Sequence, residues 1–224
     1  MAISHEKGVN SGSGKPVHDR LLDAAEKLFC EHGFEGASIR DIAAAADCNI
    51  ASVNYYFGGK DKLYVEVWRR HLLPMSESRI ASIDRVMSKK DDKPRLEDLL
   101  KSFADAFIEP MLDESKAGRL AQLMAWEMLD QHLPLNTFVE EMIKPTMTAM
   151  QRALVKACPG LEESKVPLFT LSVVGQLMHV VHIKAMFKQT DIAGLPKFDL
   201  TEAVNHIVKF SAAGIRACVE GKTE

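Results

Sequence analysis

The stretch that decides the fold runs from Ser38 to Leu63: S-I-R-D-I-A-A-A-A-D-C-N-I-A-S-V-N-Y-Y-F-G-G-K-D-K-L. Ser38 followed three residues later by Asp41 is a capping-box-like helix start, and Ile42 with four alanines carries the helix on. Asp47-Cys48-Asn49 interrupts it. Asn49 is a good N-cap for a second short helix from Ile50 to Phe57, which Gly58-Gly59 ends. A further helix opens at Lys60-Asp61 and is expected to run through Leu63, Val67 and Trp68 as far as Pro74. Upstream, Val17, Leu21, Ala24, Ala25, Leu28 and Phe29 keep the spacing of one helix face, with Gly33 as its stop. A helix, a short helix, a three-residue turn and another short helix make the geometry of a helix-turn-helix. The second short helix of such a unit protrudes and fits a DNA major groove.

The side chains suit that reading. Ile42, Ala46, Val53 and Phe57 fall on the inner face. The N-terminal end of the second short helix carries Ala51, Ser52 and Asn54, small or hydrogen-bonding groups able to approach a base edge. Ser38 caps a helix N-terminus, which attracts anions, and Arg40 sits beside it. Lys60 follows the double-glycine turn, where it can reach a phosphate. Two adjacent tyrosines, Tyr55 and Tyr56, offer hydroxyls that can donate to a phosphate while their rings pack. Against this, residues 15–70 hold eight Lys/Arg and nine Asp/Glu, so the segment is not basic overall. Any DNA affinity has to come from local arrangement rather than bulk charge.

Elsewhere the chain also reads as helical, with no alternating strand pattern and no internal repeat, so the fold class is all-α. Residues 1–16 are Gly/Ser-rich and read as a flexible arm. Helices are expected over 95–112, 118–133, 136–157 (kinked or offset at Pro145), 162–188 and 200–219. Pro159-Gly160 and Gly194-Leu195-Pro196 act as breakers. With 224 residues, a formal charge of −3 and 46% hydrophobic content, the chain has room for a small domain and a larger one. The most apolar run, 168–187, contains Gln176, His179, His182 and Lys184, which argues against a membrane span. Cys30, Cys48, Cys158 and Cys218 are scattered without a C-x-x-C pair, which points to a reducing, cytoplasmic setting. No G-x-S-x-G, P-loop or H-E-x-x-H is present and no cysteine has an evident base, so no enzyme activity is expected.

The run Ser38–Leu63, preceded by R-L-L-D-A-A-E-K-L-F-C-E-H-G-F over 20–34, resembles the DNA-binding signature and first helix of the TetR family of transcriptional regulators. The resemblance implies a homodimer with an N-terminal three-helix DNA-binding domain over 17–62. An effector-binding and dimerisation domain would follow over 63–224. It implies a pseudo-palindromic double-stranded operator, released when a small, largely apolar effector moves the two reading heads apart. Carried over by position, Ser38, Arg40, Tyr55, Tyr56 and Lys60 match phosphate-contacting positions, and Ala51, Ser52 and Asn54 match positions near base edges. Asp47 departs from the family's frequent turn glycine and Asn54 from its frequent tyrosine. Asp tolerates left-handed backbone, so the turn can survive. The phrase G-R-L-A-Q-L-M-A-W-E-M-L over 118–129 resembles the CecR-like branch, associated with drug-efflux genes and antibiotic sensitivity.

Beyond residue 70 the chain is rich in methionine. Met124, Met128, Met142, Met147 and Met178, with Phe103, Phe107, Trp126 and His179, are candidates to line an adaptable effector pocket, although core packing explains such residues equally well. His179 and His182 share a helix face but lack the further ligands a zinc site needs, so no metal or other cofactor is expected. The last two long helices, apolar and interspersed with small residues, are expected to pair with a second copy of the chain. A helical small-molecule-binding protein without DNA activity is the alternative.

Overall fold

A computed structural model describes residues 15–89, 94–188 and 199–220. Most of the expected N-terminal arm and the Gly194-Leu195-Pro196 break lie outside the described residues. Among those described, every regular element is helical: α1 (Val17–Gly36), α2 (Ile39–Ala45), α3 (Ile50–Phe57), α4 (Lys60–Met87), α5 (Leu96–Leu112), α6 (Glu114–Leu129), α7 (Leu135–Phe138), α8 (Lys144–Ala157), α9 (Val166–Lys188) and α10 (Leu200–Glu220). A π-helical turn, Val139–Ile143, joins α7 to α8, and a 3-10 turn, Glu163–Lys165, precedes α9. The all-α expectation holds.

Two compact units emerge: Met1–Arg69 with Arg119–Leu133, and Arg70–Gly118 with Pro134–Glu224. The expected division placed everything after residue 62 in one domain. Instead the first unit takes in the opening turns of α4 and most of α6, for an identifiable reason. Tyr64 is buried edge-on between Phe29 and Phe34, each at 5.0 Å, and its hydroxyl donates to Glu127 of α6 at 2.9 Å. Glu127 also accepts from the Leu133 backbone N–H at 2.7 Å, so this carboxylate serves two donors at once. Arg119 pairs with the buried Glu26 of α1 at 2.6 Å, and Leu123 is fully buried. Buried charge and aromatic area both find their partners across this packing.

Of two expected breaks, one holds. Gly33 interrupts α1 as expected, leaving helical geometry at φ 70° and ψ −178°, and a short second piece continues to Gly36. Pro74 does not end α4, which runs on to Met87. The ring removes the hydrogen bond to the Arg70 carbonyl, and Pro74 is exposed, so water can satisfy that carbonyl. Burial of Met75, Ile83 and Val86 on the inner face offsets the lost bond. At Pro145 the expected offset takes the form of the π turn just upstream.

In the second unit α5 presents Leu96, Leu99, Leu100, Phe103, Phe107 and Ile108 at helical spacing to a core shared with α8, α9 and α10. Each such side chain contributes about 1.5–3 kcal/mol relative to exposure. Asp199 caps α10 by accepting from the Thr201 N–H at 2.7 Å, and Arg216 grips Glu97 of α5 through two short bonds of 2.6 and 2.7 Å. That guanidinium holds the Glu97 carboxyl below the usual carboxylate range.

Candidate nucleic-acid interface

The turn between α2 and α3 closes as a full Schellman motif. The Cys48 N–H reaches the Ala43 carbonyl at 2.9 Å, the Asp47 N–H reaches Ala44 at 3.1 Å, and Asp47 occupies left-handed backbone at φ 51°. The departure from glycine at this position is therefore absorbed by strain. Asp47→Gly is expected to stabilise the first unit by about 0.5–1 kcal/mol, while Asp47→Val should destabilise it by about 1–2 kcal/mol. The Asp47–Arg20 contact that glycine would lose is long, 3.9 Å, and exposed on the aspartate side, so it offsets little. Thermal melts of the two variants check the sign of each change.

Asn49 caps α3 by accepting from the Ala51 N–H at 2.9 Å, and Gly58, left-handed at φ 74°, ends it. Both bounds fall where the sequence puts them. Val53 and Phe57 turn inward and are buried. Ala51, Asn54 and Tyr55 turn outward, with Tyr55 83% exposed, and Ser52 is half-buried. Tyr56 is exposed edge-on to Tyr55 at 5.0 Å. His18 stacks on Phe57 at 4.8 Å and lies edge-on to Tyr56 at 6.2 Å, placing an unforeseen ring beside this surface. Nothing in the α1 spacing singles His18 out, since the contact joins residues far apart in sequence.

The cationic and capping residues are positioned less simply. Arg40 is exposed in the first turn of α2. The Ser38 hydroxyl accepts from the Asp41 N–H at 3.1 Å and donates to the Asp41 carboxylate, so its capping work is done within the chain. Lys60 is half-buried with its ammonium 4.2 Å above the Phe34 ring. Reaching a phosphate from there requires the side chain to leave that ring. The four cysteines are free thiols, and burial pushes Cys30 up to about 11, which keeps it protonated and unreactive.

The expected pocket residues divide between the two units. Phe103 and Phe107 are buried in the core of the second unit, where the space around Phe103, Met150 and Phe169 is closed to ligand. Met147 is half-buried, Met178 and His179 are exposed on α9, and the side chain of Met142 lies outside the described residues. Met124, Trp126 and Met128 belong to the first unit. There Trp126 donates from Nε1 to the Cys30 carbonyl at 3.0 Å, and Met128 is 84% exposed. A groove of about 430 Å³ does open in the second unit between α4, α5 and α10. Its lining includes Ser78, Ser82, Arg85, Lys101, Ser102 and Asp105, and Lys101 is engaged by Asp105 at 2.5 Å. That lining is more polar than the expected one.

Comparison with known proteins matches residues 21–67 to the bacterial regulatory proteins of the tetR family. Residues 96–215 match the C-terminal domain of the HTH-type transcriptional dual regulator CecR. The chain is 25% identical to CecR of Shigella flexneri over 171 residues, 74% of this chain and 75% of that protein. It shares 47% identity over 45 residues with the probable HTH-type transcriptional regulator YttP of Bacillus subtilis, 20% of this chain and 22% of YttP. Three of the curated relatives are matched over only 22%, 30% and 35% of their own length. Among solved structures, a SmeT–triclosan complex superposes with a TM-score of 0.61 at 20% identity, over 88% of this chain and 90% of its own. That likeness concerns the fold. SmeT is described as the repressor of the Stenotrophomonas maltophilia multidrug efflux pump SmeDEF.

Proposed function

This chain belongs to the TetR family of bacterial regulatory proteins, with a CecR-type C-terminal domain, and we propose that it is a ligand-responsive, DNA-binding transcriptional regulator. It works without enzymatic activity, in the cytoplasm, as a homodimeric repressor on a pseudo-palindromic operator. The observation that carries this reading is the outward face of α3. A tyrosine left 83% exposed beside Ala51, Asn54 and Tyr56, on a helix held rigidly by its caps, is a surface shaped for a partner. Ala51, Ser52 and Asn54 face base edges; Ser38, Arg40, Tyr55, Tyr56 and Lys60 position the backbone phosphates.

Dimerisation uses α9 and α10. Leu168, Leu171, Met178 and Phe210 are exposed along them, and only 22% of the apolar stretch Glu163–Lys184, of mean hydropathy 1.6, is buried. By length and composition α9 could also cross a membrane. Cover by a second copy fits better here, because Gly175 and Gly214 have open space beyond their Cα atoms, room for another helix to approach closely. A small, largely apolar effector in the second unit releases the operator, and the regulated response in this reading is drug efflux or antibiotic sensitivity, a choice supported by the likeness to SmeT, the repressor of a multidrug efflux pump.

Fluorescence anisotropy on operator and random duplexes separates the assigned roles. Lys60→Ala should weaken binding to both alike and lower the salt slope by about 0.9. Asn54→Ala should lose about 1–3 kcal/mol on the operator alone. Equal losses on both duplexes for Asn54→Ala would remove its role in base reading.

A further inference from the structure

We propose that Arg79 is the anion-recognition residue of the effector site, and that the effector is a small organic carboxylate carrying an apolar body. The proposal rests on the reading of this chain as an effector-responsive regulator. Arg79 lies on α4 within the second unit, and its guanidinium carbon sits 4.1 Å above the ring of the buried Phe107. Its Nε is buried with no hydrogen-bond partner, and no carboxylate among the described residues pairs with it. The Ser82 hydroxyl beside it donates to the Arg79 main-chain carbonyl at 2.7 Å and leaves the side chain alone.

Other charges among the described residues find a counter-charge. Arg119 holds the buried Glu26, Arg216 grips Glu97, and Lys101 in the open groove is neutralised by Asp105. A half-buried guanidinium whose Nε is shut off from water without a counter-charge is costly, and desolvation pulls this one down to about 10. Stacking on Phe107 occupies only the face of the guanidinium. Its N–H donors lie in the plane of the group, where a carboxylate binds through two parallel bonds. Phe107 lies under the guanidinium, and the half-buried Met111, a deformable side chain, follows one turn further along α5. One turn back along α4 the buried Ser76 and Thr146 hydroxyls share a hydrogen bond of 3.0 Å, so polar groups are already accommodated on this inner face.

The test uses the full-length chain with decanoate and 2-naphthoate, each against its neutral counterpart, decanol and 2-naphthamide. Thermal shift and calorimetric titration should show both carboxylates binding. Arg79→Met should weaken them about tenfold or more, Arg79→Lys less, while the neutral compounds are unaffected. Without ligand, Arg79→Met should melt no lower than the parent, because the desolvated charge is gone. The proposal is overturned if neither carboxylate binds, or if Arg79→Met binds them as well as the parent does. A lower melting temperature for Arg79→Met with binding unchanged would also overturn it, making Arg79 a cover for Phe107. An operator-release arm keeps the two readings apart. Arg79-dependent binding without release leaves the site standing and removes the regulatory reading. Release by neutral compounds acting equally on Arg79→Met keeps the regulatory reading and overturns this one.

Discussion

Gly33→Ala is expected to destabilise the first unit by about 3 kcal/mol or more. Two costs combine. The backbone at φ 70° and ψ −178° is a region that essentially only glycine occupies, so alanine there carries about 1–3 kcal/mol of strain. The added Cβ would also lie 2.9 Å from two ring carbons of Trp126, and the ring cannot retreat freely because its Nε1 is bonded to the Cys30 carbonyl. Moving it sacrifices that bond, about 1 kcal/mol, and opens the packing between α1 and α6. Gly118→Ala is the control, since a methyl there meets nothing within 4 Å. Calorimetry should show an early transition for Gly33→Ala and none for Gly118→Ala; coincident melts would show that the Trp126 contact does not hold this unit together.

Leu171→Arg is expected to produce a folded monomer whose operator affinity has dropped about 10²-fold or more. Leu171 is 59% exposed in the single chain, so arginine there is tolerated by the fold. In an isologous interface each copy would bury the new charge against the apolar face of the other, leaving it desolvated without a partner. A monomer then engages one half-site at a time and loses the effective-concentration gain that a linked pair enjoys. Sedimentation and DNA titration read the two effects separately. A Leu171→Arg protein that sediments as the parent dimer would place the interface elsewhere.

Local chemistry was legible in the sequence, and long-range pairing was not. The bounds of α3 follow from Asn49 and Gly58 because a cap and a left-handed glycine act within one turn. Pro74 misleads, since a proline's local cost says nothing of the core residues on either side that carry α4 through it. At Trp126 an aromatic on an amphipathic helix announces burial without naming its partner. Here the partner is Gly33, more than ninety residues away. Met124 and Met128, pocket candidates by the same pattern, belong to the first unit as well. Arg79 stayed invisible because one arginine in a mixed helix reads as solvated. Its stack on Phe107 exists only once α4 and α5 are packed.

Titration of a labelled duplex from upstream of the protein's own gene, against a random duplex of equal length and across a salt series, tests sequence-selective binding by α3 most directly. The expected result is a preference of about 10³-fold or more for the upstream duplex, steeply weakened by salt and lost when Asn54 is replaced. Equal affinity for both duplexes, or no binding at low salt with the dimer intact, would contradict the assignment of α3 as a reading helix.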